Sequence, residues 1–321
     1  MKLSDIGERD AVQRILAEIA ETVSSTNIGP GDDAAAIDLG AIYLVASTDM
    51  LAQKTHFLPQ TSHHQMGWTV AAANLSDIAA MGAKPIGMLV SMGLPRNLEF
   101  ESLDEIVQGI LDCCQEAGTE LLGGDTKEAS EIVLTGTALG TVAKRSILLR
   151  RGAQPGDLLA VTGTLGLAAA GYQSLTKGLN AKRAERVLLE PRARVKEGQM
   201  LSTSGAVTSC MDISDGLALS VHALSEASRV GFEVDFGAVP VEKEVLEVAK
   251  QAGMKAEDLV LYFGGDYQLL FTFKQEGLNI LRSRMGNAFT VIGRAKAGAD
   301  NVLIKQGRMT QLERRGYEHF C

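Results

Sequence analysis

Apolar positions along the chain change period repeatedly, and the changes mark alternating helices and strands. Val12, Ile15, Leu16, Ile19 and Val23 recur at helical spacing and predict a helix over 10–23. A short apolar strand over 43–46 delivers Ser47, Thr48 and Asp49 at its end. An Ala-rich helix over 66–81 carries Asn74 and Asp77 three apart, hence on one face. Strand 85–93, helix 103–117, strand 119–122 and a long strand over 131–143, suited to antiparallel pairing, complete the first half. Gly152, Pro155 and Gly156 then break the pattern, which divides the chain into domains of residues 1–148 and 149–321. The second half predicts strands over 158–162, 209–213, 232–236 and 268–273. Its helices fall over 165–175, 217–229 and 242–252, with a Lys/Arg-rich helical stretch around residue 190. The alternation is that of an α/β (α+β) protein.

Between these elements lie five acidic turns: GDDAA at 31–35, STD at 47–49, NLSD at 74–77, GGDT at 123–126 and DISDG at 212–216. An Asp beside Gly or Ser is commonly a helix cap or turn residue. Five such turns, two of them with doubled acids and three following apolar runs, point further, because open α/β sheets place ligands at strand ends. Asp212, Ser214 and Asp215 fall at a strand-to-helix turn, which aims carboxylates and helix N–H groups into one space. Asp77, in an apolar helix, would be costly to bury unless paired or metal-bound, and is read as a ligand.

Composition changes the picture in two ways. A length of 321 residues with a hydrophobic fraction of 45% fits a soluble protein of two domains. The net charge of −8 argues against a nucleic-acid binder, yet an acidic chain can hold phosphates when divalent cations stand between. Four cysteines (Cys113, Cys114, Cys210, Cys321) without CxxC spacing suggest the reducing cytoplasm. No run of about 18 apolar residues occurs, so neither a membrane span nor a membrane partner is expected.

No GxxxxGK[ST], HExxH or GxSxG motif is present. A nucleoside triphosphate carries about four negative charges, and a phosphorylated second substrate nearly two more. The acidic turns could hold them only through a hard cation such as magnesium, which takes carboxylates and bridges to phosphates. Phosphoryl transfer is the reaction class that follows. The basic run KRSILLRR at 144–151 suits a phosphate clamp, for which Arg is the better donor.

GDDAA, STD, NLSDIAAMGA, GGDT, the PGD-led second half, MDISDGL, GGDYQLLFT and GYEHF, in this order, resemble the thiamine-monophosphate kinase family, within the aminoimidazole ribonucleotide synthetase superfamily. The resemblance implies two domains, the first a mixed sheet with helices that pairs in a homodimer. It implies ATP-dependent conversion of thiamine monophosphate to thiamine diphosphate with several Mg2+ ions. Carried over by position, it gives Asp33, Ser47, Thr48, Asp49, Asp77, Asp125, Asp212 and Asp215 as metal ligands. Gly124, Asp125, Arg150 and Ser214 would meet ATP, and His56, Asp266 and Tyr317 thiamine monophosphate. Asp212, Asp215 and Arg150 would act in catalysis. The family commonly has GGED where this chain has GGD, which puts Gly265 at the place of a substrate-contacting Glu and leaves Asp266 as its substitute. The alternatives are a hydrogenase-maturation carbamoyl dehydratase using Cys321, though such proteins resemble DATRGG where this chain has DISDGL, and a non-catalytic nucleotide-binding protein of the same fold. Selenophosphate synthetase fits less well still, because its expected Gly-rich N-terminal segment with a reactive Cys is absent.

Overall fold

The computed structural model describes residues 2, 5–20 and 26–319, arranged around two mixed sheets. The first half runs α1 (Gly7–Ala20), β1 (Ala35–Asp38), β2 (Ile42–Ala52), α2 (Gln53–His56), α3 (His63–Ala80), β3 (Lys84–Leu94), α4 (Phe100–Ala117), β4 (Leu121–Glu128) and β5 (Val133–Ala143). Its five strands lie in the order β1-β2-β5-β3-β4, antiparallel except for the β3–β4 pair. The second half runs β6 (Leu158–Thr162), α5 (Leu167–Lys177), α6 (Lys182–Leu189), α7 (Val195–Ser204), β7 (Val207–Ile213), α8 (Leu217–Ser228), β8 (Gly231–Asp235), α9 (Lys243–Ala252), α10 (Ala256–Leu261), β9 (Gln268–Phe273), α11 (Leu278–Met285), β10 (Phe289–Lys296), β11 (Val302–Lys305) and β12 (Arg308–Gln311). Its seven strands lie in the order β12-β11-β8-β10-β6-β9-β7, with β11–β8 the parallel pair. Val23, at the end of the predicted first helix, lies outside the described residues.

Helix α3 positions everything else. Ser62 opens it with a capping box shared with Gln65, which satisfies two of the otherwise unpaired N–H groups of the first turn. Its small side chains let it be covered from several sides, and Val70, Ala71, Ala72, Leu75, Ile78, Ala79 and Ala80 are fully buried. Gly67 shows how close the packing is: a Cβ there would lie 1.9 Å from the carbonyl oxygen of Ile106 on α4. Trp68 donates from Nε1 to the carbonyl of Pro191, 2.6 Å away, and ties the helix to the second half.

Alternation along β7 and β9 explains the join between the halves. Cys210, Leu269, Phe271 and Phe273 pack with α3 and the first sheet's core, while Met211, Ile213 and Leu270 face the core formed by α5, α8 and α9. Cross-strand partners share a face, so Asp212, paired with Leu269, points toward the first half.

Two strands differ from the sequence expectation in ways that matter for the site. β2 runs through Ser47, Thr48 and Asp49 to Ala52, and β4 contains the whole of GGDT. The expected strand ends are mid-strand positions because these residues satisfy their backbone groups in ladders with β5 and β3. With most pairs antiparallel, the rule for ligands at parallel strand ends does not govern this architecture.

Candidate active site

Three carboxylates from distant parts of the chain converge where the two halves meet. Asp33 comes from the turn before β1, Asp77 from α3 and Asp212 from β7, and each offers an oxygen within 4.8 Å of the others. Asp49 of β2 lies beside them. The neighbouring polar groups on α3 fix this geometry: Asn74 Oδ1 accepts from the Asp49 N–H at 2.9 Å, and Ser76 Oγ donates to Asp212 at 2.6 Å. Ser47 donates its hydroxyl hydrogen to Asp77. Asn74 was visible in the sequence as the partner of Asp77 on one face, whereas Ser76 carried no signal beyond its place in NLSD.

Burial sets the electrostatics. The Asp212 carboxyl is pushed up to about 8, first by desolvation and then by the Asp33 carboxylate. Asp77 is raised well above the usual range by burial and then by Asp212, Asp49 and Asp33; burial raises Asp49 as well. Arg150 answers this charge, donating to Asp33 Oδ1 from Nη2 at 2.7 Å and from Nε at 3.2 Å. Its burial opposes the charged form, but the charge and hydrogen bond of Asp33, with Asp212 and Asp32, together outweigh it and lift the guanidinium above its ordinary value. Asp32 accepts the Arg150 backbone N–H at 2.6 Å, so the doubled acid holds both ends of one arginine. Desolvation brings Asp32 up to about 6. The other oxygen of Asp33, Oδ2, is buried without a hydrogen-bond partner among the described residues. An orphaned carboxylate oxygen beside two further acids fits a hard divalent cation, which prefers such oxygen donors.

The remaining expected residues divide by sheet face. Ser47 and Asp49 point toward α3, but Thr48, one residue between them, points the other way. Its Oγ1 donates to the Gly136 carbonyl at 2.8 Å. Asp125 pairs through Ser91 and Thr135 with Met50, so it shares Met50's open face. Three inter-strand spacings of about 4.8 Å separate the ladders of β2 and β4, placing Gly124 and Asp125 roughly 14 Å from Asp49. Asp125 there ion-pairs with Lys127 at 3.1 Å, and that ammonium holds its carboxyl below the usual range.

At the other end, Ser214, Asp215 and Gly216 form the turn into α8, with Gly216 at φ 108. The Tyr317 N–H donates to the Asp215 carbonyl at 3.1 Å and draws the chain's end against this turn. His319 then joins two expected residues, its ring 5.0 Å from His56 and 4.9 Å from Tyr317. Burial, then the neighbouring His319, lowers the His56 pKa. His319 entered the sequence reading only within the GYEHF motif, with no role assigned to it. Asp266, expected to contact the substrate, is buried and accepts from the Gly166 N–H at 2.7 Å and the Ala168 N–H at 3.2 Å, anchoring the start of α5. Those bonds compensate in part the desolvation that raises it to about 6. Burial, then the field of Asp49, Asp212, Asp215 and Asp77, raises the phenol of its unpredicted neighbour Tyr267 above the ordinary value. Cys321 lies outside the described residues; the three described cysteines are free and buried.

The chain belongs to the AIR synthase related proteins. The family model for their N-terminal domain matches residues 31–142 and that for their C-terminal domain residues 154–305. Within that class the chain belongs to the thiamine-monophosphate kinase family. It is 36% identical over 307 residues to the thiamine-monophosphate kinase of Methanospirillum hungatei, covering 95% of this chain and 98% of that one. A solved structure of AaThiL complexed with AMPPCP and TMP superposes with a TM-score of 0.88 at 27% identity, over 99% of both chains. The hydrogenase maturation protein HypE, solved with ATP, shares the fold at a TM-score of 0.71 and 21% identity, over 94% of each chain.

Proposed function

We propose that the chain transfers the γ-phosphoryl group of ATP directly to thiamine monophosphate, giving thiamine diphosphate. The observation that carries this reading is the convergence of Asp33, Asp77 and Asp212 from both halves, within 4.8 Å, in a chain of this family. Magnesium, held by these three with Asp49 and Asp215 close by, would neutralise the phosphates and polarise the transferred group. Arg150 is in place to pass from Asp33 to a phosphate oxygen, and Ser214 lies at the N-terminal end of α8, where anions are favoured. His56 and Tyr317, gathered by His319, supply an aromatic edge for the thiamine rings. The acceptor phosphate is already ionised at neutral pH, since its second pKa is near ~6, so no general base is required.

The same reading includes a homodimer formed through the first sheet. Its open face presents Met50 at 62% exposure and Leu122 at 53%, with Ile37, Ile86 and Leu89 also exposed, a grouping of apolar side chains of the kind that marks an interface. Thr48 and Asp125 point from this face, so ligation by either belongs to the paired form. A cytoplasmic location is part of the proposal; no helix among the described residues is long and apolar enough to cross a membrane.

Labelled ATP incubated with thiamine monophosphate tests the function: labelled thiamine diphosphate is expected, and none in excess chelator. Nucleotide binding without turnover would favour the non-catalytic reading. The carbamoyl-carrier reading shares the fold and the final Cys321; Cys321→Ser is expected to keep full kinase activity, and its loss with the fold intact would revive that reading.

A further inference from the structure

Tyr267 adopts φ 47, a left-handed backbone that a tyrosine enters only at a steric cost and that Gly or Asn would accept more cheaply. The surroundings hold it there. The Gly265 N–H donates to the Ser214 carbonyl at 2.7 Å and the Tyr267 N–H to the Ile213 carbonyl at 3.0 Å, pinning this segment to the DISDG turn. Strain kept in such a place is a pointer to function. Tyr267 also precedes Leu269 by two residues, and Leu269 is the partner of Asp212 across the β7–β9 ladder, on the face turned toward the first half. From this place beside the ladder, the phenol lies in the field of Asp49, Asp212, Asp215 and Asp77.

The other donors of the seam are committed. Ser47 donates to Asp77, Ser76 to Asp212, Asn74 Nδ2 to the Val70 carbonyl at 2.8 Å, and Arg150 to Asp33. The Tyr267 hydroxyl meets no hydrogen-bond partner among the described residues. Its position along the seam identifies what it serves. Arg150 and Asp33 mark one end. The Asp215 turn, bonded to Tyr317 and followed by His319 and His56, marks the other, and Asp215 acts on both the Tyr267 and the Tyr317 phenols.

We infer that Tyr267 is a substrate-binding residue whose hydroxyl donates a hydrogen bond to the phosphate of the acceptor, orienting the oxygen that attacks. The inference rests on the kinase reading and deepens it. In the step itself the acceptor oxygen forms the new bond to the γ-phosphorus, the bond to the bridging oxygen breaks and ADP leaves; the phenol keeps its proton throughout. Such a donor selects a phosphate monoester over the corresponding alcohol, which offers no anionic oxygen to it.

Tyr267→Phe keeps the ring and removes the donor. Steady-state kinetics with each substrate varied, calorimetric titration with thiamine monophosphate and the Tm together test the role. The affinity and kcat/KM for thiamine monophosphate are expected to fall about 10- to 100-fold, as when a hydrogen bond to a charged group is lost, with the KM for ATP within about twofold and the Tm unchanged. Tyr267→Asn, which suits the left-handed backbone, is expected to fold and show the same selective loss. Wild-type affinity for thiamine monophosphate in the Phe variant would overturn the inference, as would equal losses for ATP and acceptor. If the unaltered chain does not phosphorylate thiamine monophosphate, the kinase reading fails and takes this inference with it; if it does and Tyr267→Phe matches it, this inference alone fails.

Discussion

A carboxylate among carboxylates changes what pH does to the fold. Burial, then the Asp33 carboxylate, pushes the Asp212 carboxyl from its ordinary 3.8 up to about 8 in the folded protein. The folded state therefore holds a proton that the unfolded chain has released over this interval, and folding is favoured at low pH. That contribution is complete below about 4 and is lost as pH rises toward 8, at no more than about 1.4 kcal/mol per pH unit for a single group. Chelated protein is thus expected to show a lower Tm at pH 8 than at pH 5.5, and added magnesium to restore more at pH 8. Asp212→Asn should flatten the pH dependence and cut turnover at least ~100-fold, about 2.7 kcal/mol of lost transition-state stabilisation. Denaturation curves across pH, paired with rates at several magnesium concentrations, check both halves; near-native turnover in this variant would leave Asp212 only a structural partner of Ser76. The place of Asp212 at a strand-to-helix turn was legible in the sequence from the apolar run before it and Gly216 after it. Its partnership with Asp33 and Asp77 was not, since convergence of residues more than a hundred positions apart depends on how the halves pack.

At the scale of elements, period told helices and strands apart but not how far each strand ran. Apolar residues predicted β2 over four positions because Ser47, Thr48 and Asp49 read as polar; the ladder with β5 extends the strand to Ala52. A strand then sends alternate residues to opposite faces, so the STD motif cannot converge on one site by its side chains. Helix α3 was legible nearly to its ends because small and apolar residues ran without a breaker. Its closeness to α4 makes Gly67→Ala a sharp probe: the Cβ would meet the Ile106 carbonyl, so a loss of about 1–3 kcal/mol is expected in urea unfolding. Asp266→Ala would strip partners from two N–H groups at the start of α5 and is expected to cost a similar about 1–3 kcal/mol. A change confined to the KM for thiamine monophosphate, with no loss of stability, would return Asp266 to the substrate contact that the GGED comparison suggested.

For the whole molecule, the Gly/Pro break near residue 155 announced two halves, yet sheet order and the shared core were beyond sequence patterning, because alternation says which residues are inward and not which strand lies next. The open face of the first sheet is the clearest consequence of that order. It collects Met50 and Leu122 from strands far apart in sequence, and both are exposed beyond half of their surface. If two copies close these faces together, apolar area leaves water at about 25 cal/mol per Å2, and a stable pair of this kind buries on the order of 1,600 Å2 in total. A charge at the centre of such an interface would lose its hydration with no partner, at a cost of several kcal/mol. Met50→Glu combined with Leu122→Glu is therefore expected to convert the protein from dimer to monomer in sedimentation velocity, while the Asp33, Asp77 and Asp212 cluster, behind the opposite face, keeps its geometry. Turnover measured on the same preparation separates the two roles of this face. Loss of activity together with the dimer would mean that Thr48 and Asp125 act across the interface, full activity in the monomer would confine the site to one chain, and an unaltered protein that sediments as a monomer would remove the dimer from the proposal.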